Sequence, residues 1–141
     1  MTAPTLYLWF PGTAAEALGH YREIFGGDLD LHTLGEMGRT DGPADAVGHG
    51  VLTGPVTLYG SDVTGEEARV SMTGVSIALL GTADGPTLTR WFAALADGGT
   101  VLDDLQERPW GACDGQVVDR FGVRWLIGYE LAAPAGDRPG A

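Results

Sequence analysis

Lysine is absent from this sequence, and eight arginines stand against nineteen aspartates and glutamates, which leaves a formal net charge of −11 at pH 7. A negative charge of this size repels nucleic acid phosphates and anionic lipid surfaces. We therefore expect no nucleic acid and no membrane among the partners of this protein.

Cysteine and long apolar runs are also scarce. Cys113 stands alone, which excludes an intramolecular disulfide and a cysteine-rich zinc site, and we interpret it as a structural residue. No apolar run approaches the roughly 20 residues that span a bilayer, and the start of the chain lacks a positively charged region followed by an apolar stretch. The sequence therefore predicts a cytoplasmic protein.

The length of the chain and the composition of its last residues bound the folded part. A chain of 141 residues can bury roughly two thirds of its unfolded surface, so residues 1–131 can form a single domain without a disulfide. Residues 132–141 consist of Ala, Pro, Gly, Asp and Arg and show no apolar period. We predict that they form a disordered tail.

The two halves of the chain repeat one pattern. Residues 6–10 are a short apolar strand that leads into a helix ending at Gly26, and residues 76–80 lead into a helix ending at Gly98, 72 residues later. This repeat predicts two similar modules, each with a curved sheet, around one shared cleft. Such a cleft is where a ligand site is expected.

Local signals place the other elements. The capping-box sequence Thr-Ala-Ala-Glu at residues 13–16 predicts the start of a helix over residues 14–25, and Pro86 opens a second helix over residues 86–97. Alternating and β-branched runs predict strands at 28–37, 47–52, 56–61, 100–108, 115–119 and 123–131. A polar linker at residues 62–72 divides the two modules.

The first strand carries aromatic side chains on both faces. Tyr7 and Trp9 share one face, opposite Leu6, Leu8 and Phe10. One set must pack against a helix while the other faces the cleft. We assign Tyr7 to the cleft.

Several stretches of the chain carry a family resemblance. They are Tyr-Leu-Trp-Phe at residues 7–10, Phe-Gly-Gly at 25–27, Leu-Gln-Glu at 105–107, Trp-Gly at 110–111 and Asp-Arg-Phe-Gly-Val-Arg-Trp at 119–125. With them, residues 5–130 resemble the vicinal oxygen chelate superfamily, that is, the glyoxalase and bleomycin-resistance proteins. The resemblance is to the PhnB-like branch in particular.

The resemblance implies an α+β fold. Two βαβββ modules, residues 5–62 and 73–131, would surround a shared cleft, and such proteins are usually completed as homodimers. The resemblance implies no single reaction, because the superfamily includes isomerases, dioxygenases, thiol transferases and proteins that sequester antibiotics.

Metal-dependent members of the superfamily place His, Gln or Glu on the first and last strands of the modules. The match through residues 119–122 puts Leu126 at the position of the carboxylate ligand, and an offset of 68 residues between the ends of the halves maps Leu58 to the equivalent place. The opening strands offer no histidine or carboxylate either. We therefore expect no ordinary metal centre and no cofactor.

Polar and aromatic residues at strand ends complete the predicted site. His49 lies between two glycines that leave room for a ligand, and it is a candidate base or hydrogen-bond donor; the alternative is a hydrogen bond to a neighbouring strand or partner subunit. Gln106 is placed toward the cleft, and Trp110 is expected to line a pocket or an interface. The predicted ligand-binding set is Tyr7, His49, Leu58, Gln106, Trp110 and Leu126.

Three functions follow as alternatives. The first is a metal-free protein of the sequestration or resistance type that captures a small organic ligand in an apolar, aromatic cleft. The second is a glyoxalase-like isomerase, lyase or hydrolase that uses His49 as a general base, or as a ligand of an unconventional divalent metal site with Glu36, Asp62 or Glu107. The third is an interaction module whose cleft is filled by its own side chains.

Overall fold

The structure is a computed structural model that describes residues 2–63 and 70–131. The chain divides into two compact units, Met1–Ser71 and Met72–Ala141. The division falls within the predicted linker, of which residues 64–69 lie outside the described part. The predicted disordered tail, residues 132–141, also lies outside it.

The first unit is a four-stranded sheet with one helix. Its elements in chain order are β1 (Tyr7–Phe10), α1 (Ala14–Phe25), β2 (Asp28–Thr33), β3 (Val47–Thr53) and β4 (Leu58–Asp62). The strand order in the sheet is β1-β4-β3-β2, with β1 parallel to β4 and the other two pairs antiparallel.

The second unit repeats this arrangement. Its elements are β5 (Ile77–Leu80), α2 (Gly85–Ala96), β6 (Thr100–Glu107), β7 (Ala112–Val118) and β8 (Arg124–Glu130). The strand order is β5-β8-β7-β6, again with the first and last strands parallel. The predicted α+β fold of two βαβββ modules is confirmed.

One face of α1 forms the core of the first unit. Five residues at helical spacing are buried: Ala14, Ala17, Leu18, Tyr21 and Phe25. The helix ends where predicted, at Gly26, whose φ of 81° is readily adopted by glycine. The periodicity therefore places α1 against one face of the sheet, where its apolar stripe is removed from water.

The start of α1 is stabilised by a different residue than the sequence predicts. Thr13 makes no side-chain capping hydrogen bond. Instead, Oδ1 of Asp62 accepts from the N–H of Ala14 at 2.8 Å, and Oδ2 accepts from the N–H of Val47 at 2.9 Å. The predicted capping box is therefore wrong, because a carboxylate from β4 takes over the helix N-terminus and also fixes the start of β3.

The strand predicted over residues 28–37 is shorter in the structure. It ends at Thr33, whose Oγ1 accepts from the N–H of Glu36 and whose carbonyl accepts from the N–H of Met37, both at 3.1 Å. Gly38 then adopts a φ of 70°. These local bonds form a turn, so the alternating pattern does not continue as a strand.

The last strand of the second unit is anchored by a buried carboxylate. Asp119 is 4% exposed and accepts from the backbone N–H groups of Phe121 and Val123 and from Nε1 of Trp125, at 2.8, 3.1 and 2.9 Å. Trp125 is fully buried. Asp119 thus closes the turn before β8 and also holds Trp125 in place.

We predict that Asp62→Ala lowers the free energy of unfolding by about 3 kcal/mol, because two backbone donors lose their acceptor. Thr13→Ala is the matched control and should change it by less than about 0.5 kcal/mol, since Thr13 caps nothing. Urea denaturation followed by circular dichroism measures both. A larger loss for Thr13→Ala than for Asp62→Ala would contradict this account of the helix start.

Candidate functional site

Side chains of the first sheet alternate between a covered and an open face. Leu8, Phe10, Leu52 and Leu58 are buried on the side of α1, where a Cβ added at Gly50 would meet Leu18 of the helix. The residues between them along the strands point away from the helix. We call that side of the sheet the open face.

Four aromatic side chains lie next to one another on the open face of the first unit. The ring centroids of Tyr7 and Trp9 are 5.1 Å apart, those of Tyr7 and His49 are 5.7 Å apart and nearly parallel, and His49 meets Tyr59 edge-on at 5.9 Å. Tyr7 and Tyr59 are direct partners across the β1 and β4 pair. We call these four residues the aromatic face.

The sequence predicted two members of the aromatic face as ligand-binding residues, and the structure brings them together. Oη of Tyr7 and Nδ1 of His49 form a hydrogen bond of 3.0 Å between part-buried side chains. Nε2 of His49 has no hydrogen bond to any residue of the described part. His49 therefore keeps one ring nitrogen for a ligand.

Leu58 was predicted to face the ligand, and this prediction is wrong. Leu58 is 1% exposed and packs on the helix side, whereas its neighbour Tyr59 lies on the open face. The cause is a one-residue error in aligning the two halves, and a shift of one residue moves every side chain of a strand to the other face. Strand pairing makes Tyr59 the equivalent of Leu126, because Tyr7 pairs with Tyr59 and Ala78 pairs with Leu126.

A polar cavity of about 280 Å³ adjoins the aromatic face at Trp9. Arg39 and Asp41, from the loop between β2 and β3, form an ion pair at its rim, and Ser61 and Asp62 also line it. The hydrogen bond between the two side chains raises the pKa of Arg39 and lowers the pKa of Asp41. Because both groups are well exposed, this pair contributes little to stability and is free to rearrange around a ligand.

The open face of the second unit is less aromatic and more charged. Leu126 lies there, paired with Ala78 and Gln116, while Trp125 and Ile127 on either side are buried. Arg124 donates to Oε1 of Gln116 at 2.7 Å. The strand register therefore places Leu126 on the side of the sheet away from α2, and its role toward a ligand stays a prediction.

Gln106 is held by its own strand. Its Nε2 donates to Oδ1 of Asp103 at 2.9 Å, and it pairs across β6 and β7 with Asp114. Arg108 bridges Asp103 and Asp114, and hydrogen bonds to these carboxylates raise its pKa. Gln106 thus belongs to a polar network on the exposed edge of the sheet.

A cavity of about 490 Å³ lies beside this network in the second unit. Leu80 and Trp110 form apolar walls, and Asp114 and Glu130 are among its other lining residues. Gly128 also lines it, and a Cβ there would come within 3.2 Å of Leu80. Trp110 is 70% exposed, so its ring is available to a ligand or to another protein surface.

The residues present do not fit the metal centre that the superfamily implies. On the open faces, the strand positions that correspond to metal ligands elsewhere in the superfamily hold Tyr7, Tyr59, Ala78 and Leu126. Alanine and leucine cannot bind a divalent cation, and a neutral phenol is a poor ligand. Within residues 2–63 and 70–131, no group of three or more His, Cys, Asp or Glu side chains is placed to hold a metal ion.

The unconventional metal site is not supported by the placement of its carboxylates. Both oxygens of Asp62 already accept from backbone N–H groups. Glu36 is exposed in the turn after β2, and Glu107 is exposed at the end of β6 in the other unit. We therefore derive no chemistry through a metal ion.

Known proteins with this arrangement were found by sequence and by structure. No model of a known protein family matches the chain. The protein YjdN of Escherichia coli is 28% identical over 145 residues, which cover 91% of this chain and 95% of YjdN. The crystal structure of PA1353 from Pseudomonas aeruginosa is 31% identical and superposes with a TM-score of 0.77, covering 94% of this chain and all of PA1353.

Two further structures define the fold. A PhnB protein from Bacillus cereus is 21% identical with a TM-score of 0.73, covering 93% of this chain and all of its own. A glyoxalase family protein from Bacillus cereus is 11% identical with a TM-score of 0.60, covering 94% of this chain and 95% of its own. The chain belongs to the family of PA1353, and its fold is that of the two proteins from Bacillus cereus. The PhnB-like resemblance seen in the sequence is thereby confirmed.

Proteins that share this fold differ in their binding sites. The site residues that the sequence did not predict are therefore important for the function. Tyr59 escaped notice because the two halves were aligned one residue out of register. Arg39 and Asp41 lie in a loop that carries no periodic signal.

No helix among the described residues is long and apolar enough to cross a membrane.

We predict that Leu58→Ala lowers the free energy of unfolding by about 3 kcal/mol, as expected for a fully buried leucine. Tyr59→Ala, the adjacent change on the open face, should cost about 1 kcal/mol or less. Urea denaturation of the two variants measures the difference. The reverse order would show that Leu58, not Tyr59, faces away from the helix.

We also predict that untagged protein purified without chelator contains far less than one equivalent of zinc, nickel, manganese or iron per chain. The reason is the ligand-poor set Tyr7, Tyr59, Ala78 and Leu126 on the strands that carry metal ligands elsewhere in the superfamily. Elemental analysis by mass spectrometry measures this. One equivalent of metal that is lost in the His49→Ala variant would contradict our interpretation of the site.

Proposed function

We propose that this protein binds a small organic ligand on the aromatic face of its first unit, without a metal ion. The observation that carries the proposal is the contiguous set of Tyr7, Trp9, His49 and Tyr59 on the side of the sheet that α1 leaves uncovered. A set of aromatic rings built only for the core would lie on the helix side, with Leu58 and Phe10.

The aromatic face suits a planar ligand. Trp9 is 47% exposed, so its ring can be covered by a ligand at little cost to the fold. Aromatic pairs contribute about 0.5–1.5 kcal/mol each beyond the apolar area that they bury, so two or three rings add roughly 1–4.5 kcal/mol to the binding of a small aromatic molecule. The hydrogen bond between Tyr7 and His49 holds two of these rings in place before the ligand arrives.

The second unit offers a further ligand surface. Its cavity of about 490 Å³ has the size of a small-molecule pocket, with Trp110 and Leu80 as apolar walls. Leu126 and Gln106 lie on the same open face of this unit. We propose Trp110 as a ligand-binding residue of this cavity, and Gln106 and Leu126 as ligand-binding residues on the same open face outside it.

The proposed role is capture of the ligand, as in sequestration or resistance. The chemistry of the strands supports it, because tyrosine, alanine and leucine at the positions of metal ligands leave no Lewis acid for an isomerase or dioxygenase reaction. The competing proposal is an isomerase, lyase or hydrolase with His49 as general base. A base at this position would be Nε2 of His49, which has no partner within the described part, and it would have to be the unprotonated ring nitrogen.

Three expectations remain proposals about the protein as a whole. These are assembly as a homodimer, location in the cytoplasm, and the lack of nucleic acid and membrane partners. The charge of −11 supports the last of them, because it opposes binding to anionic polymers and surfaces.

We predict that 2-naphthamide quenches the tryptophan fluorescence of this protein through Trp9. Trp9→Phe should remove most of the quenching, and Tyr59→Ala should weaken binding about fivefold, the equivalent of roughly 1 kcal/mol of lost stacking. Trp110→Phe is the comparison variant, since Trp110 is also exposed but lines the cavity of the other unit, so its share of the quenching reports binding there. If Trp110→Phe abolished quenching while Trp9→Phe and Tyr59→Ala bound normally, the proposed surface would be wrong.

A further inference from the structure

We infer that His49 is a hydrogen-bond donor through Nε2, held in that tautomer by Tyr7, and that the ligand presents an acceptor oxygen to it. This inference rests on the proposed function, because it names the chemistry of the ligand for the same surface. It also decides between the two roles open to His49, a donor that binds and a base that reacts.

The chemistry of Tyr7 and His49 sets the direction of the hydrogen bond between them. Their atoms Oη and Nδ1 are 3.0 Å apart, so one of them donates. The ring nitrogen of a neutral imidazole is a strong acceptor, whereas the oxygen of a phenol is a weak acceptor and its O–H group is a good donor. The O–H of Tyr7 therefore donates to Nδ1 of His49.

The direction of this hydrogen bond sets which ring nitrogen of His49 carries the one N–H of the neutral imidazole. A neutral imidazole carries one N–H, so an Nδ1 that accepts a hydrogen bond places the proton on Nε2. The rings around His49 fix its orientation, since Tyr7 stacks at 19° and Tyr59 meets it at 63°. Nε2 is neither hydrogen-bonded to another described residue nor among the buried nitrogen atoms that lack a partner. The N–H group is thus within reach of a ligand.

The N–H group of Nε2 selects ligands that present a hydrogen-bond acceptor. A ligand that covers the aromatic face removes water from Nε2, and an N–H group left without an acceptor then costs about 1–3 kcal/mol. A ligand with a carbonyl or carboxylate oxygen at that point avoids this cost, as in sites that reject analogues lacking a hydrogen-bonding group. An N–H group cannot take up a proton, so His49 in this tautomer does not act as a base at Nε2.

The tautomer can be measured directly on the full chain labelled with 15N. Long-range correlation spectra at about pH 8 separate a protonated ring nitrogen from an unprotonated one. Comparison with His49→Gln assigns the signals. We expect Nε2 to be protonated and Nδ1 to show the shift of a hydrogen-bonded acceptor. A protonated Nδ1 would overturn the inference.

The role of Tyr7 has its own control in the same spectra. Tyr7→Phe should remove the hydrogen-bond shift at Nδ1, because the ring stays and only the O–H group is lost. Tyr59→Phe should leave the Nδ1 shift unchanged, since Tyr59 contacts the His49 ring only by its edge. An Nδ1 signal that is the same in Tyr7→Phe as in the unaltered protein would also overturn the inference.

The ligand chemistry is tested with two matched probes, 2-naphthamide and 2-naphthylmethylammonium. The first offers an acceptor oxygen and the second offers only donors, although the charge of −11 favours the ammonium ion. We expect the amide to bind at least about tenfold more tightly, from the N–H group that it satisfies. His49→Phe should abolish this preference, and His49→Gln should reduce it, because the amide of Gln offers an acceptor oxygen to the ammonium probe as well as a donor to the amide probe.

The outcomes separate the inference from the function on which it rests. Equal or tighter binding of the ammonium probe, with both probes on the aromatic face, would overturn the inference and leave the binding function standing. A preference for the amide that persists in His49→Phe would do the same. Failure of both probes to bind would overturn the binding function and, with it, the proposed ligand chemistry.

Discussion

The structure depends on one constraint, which is that successive side chains of a strand point to opposite faces while a single helix covers only one of them. In the first unit this separates Leu58, packed in the core, from Tyr59, which faces away from α1. The same constraint gathers Tyr7, Trp9 and His49 with Tyr59 on the uncovered side. The aromatic face is therefore a consequence of strand register, and a shift of one residue would bury it and expose the core.

Much of the fold was predictable because its signals are local and repeated. Apolar periodicity marked both helices, and the stop at Gly26 was visible in the sequence. The capping of α1 was not, because the carboxylate that does it comes from Asp62, 48 residues from Ala14. The Leu58 error has a related origin: the ends of the halves were matched at an offset of 68 residues, whereas the equivalent positions Tyr59 and Leu126 are 67 apart. Loop lengths differ between the halves, so only strand pairing fixes which residue faces away from the helix.

The two units have the same strand order and different open faces. Where the first unit has Tyr7 paired with Tyr59, the second has Ala78 paired with Leu126. The second unit instead carries a charged network around Arg108 and an apolar cavity beside it. The two units therefore share a backbone arrangement but differ in their side chains. The first unit offers the aromatic rings on which a ligand can stack. At the paired positions of the first and last strands, the open faces hold Tyr7 with Tyr59 and Ala78 with Leu126, and this chemistry underlies the metal-free proposal.

The central claim is that the aromatic face of the first unit is the ligand site. The most direct test is a crystal structure of the full chain after soaking with a library of small aromatic amides and carboxylates. We expect bound fragments to lie against Trp9 and Tyr59, with an oxygen within hydrogen-bond distance of Nε2 of His49. Fragments that bind only in other places, or an aromatic face that is filled by side chains of the protein itself, would contradict the account.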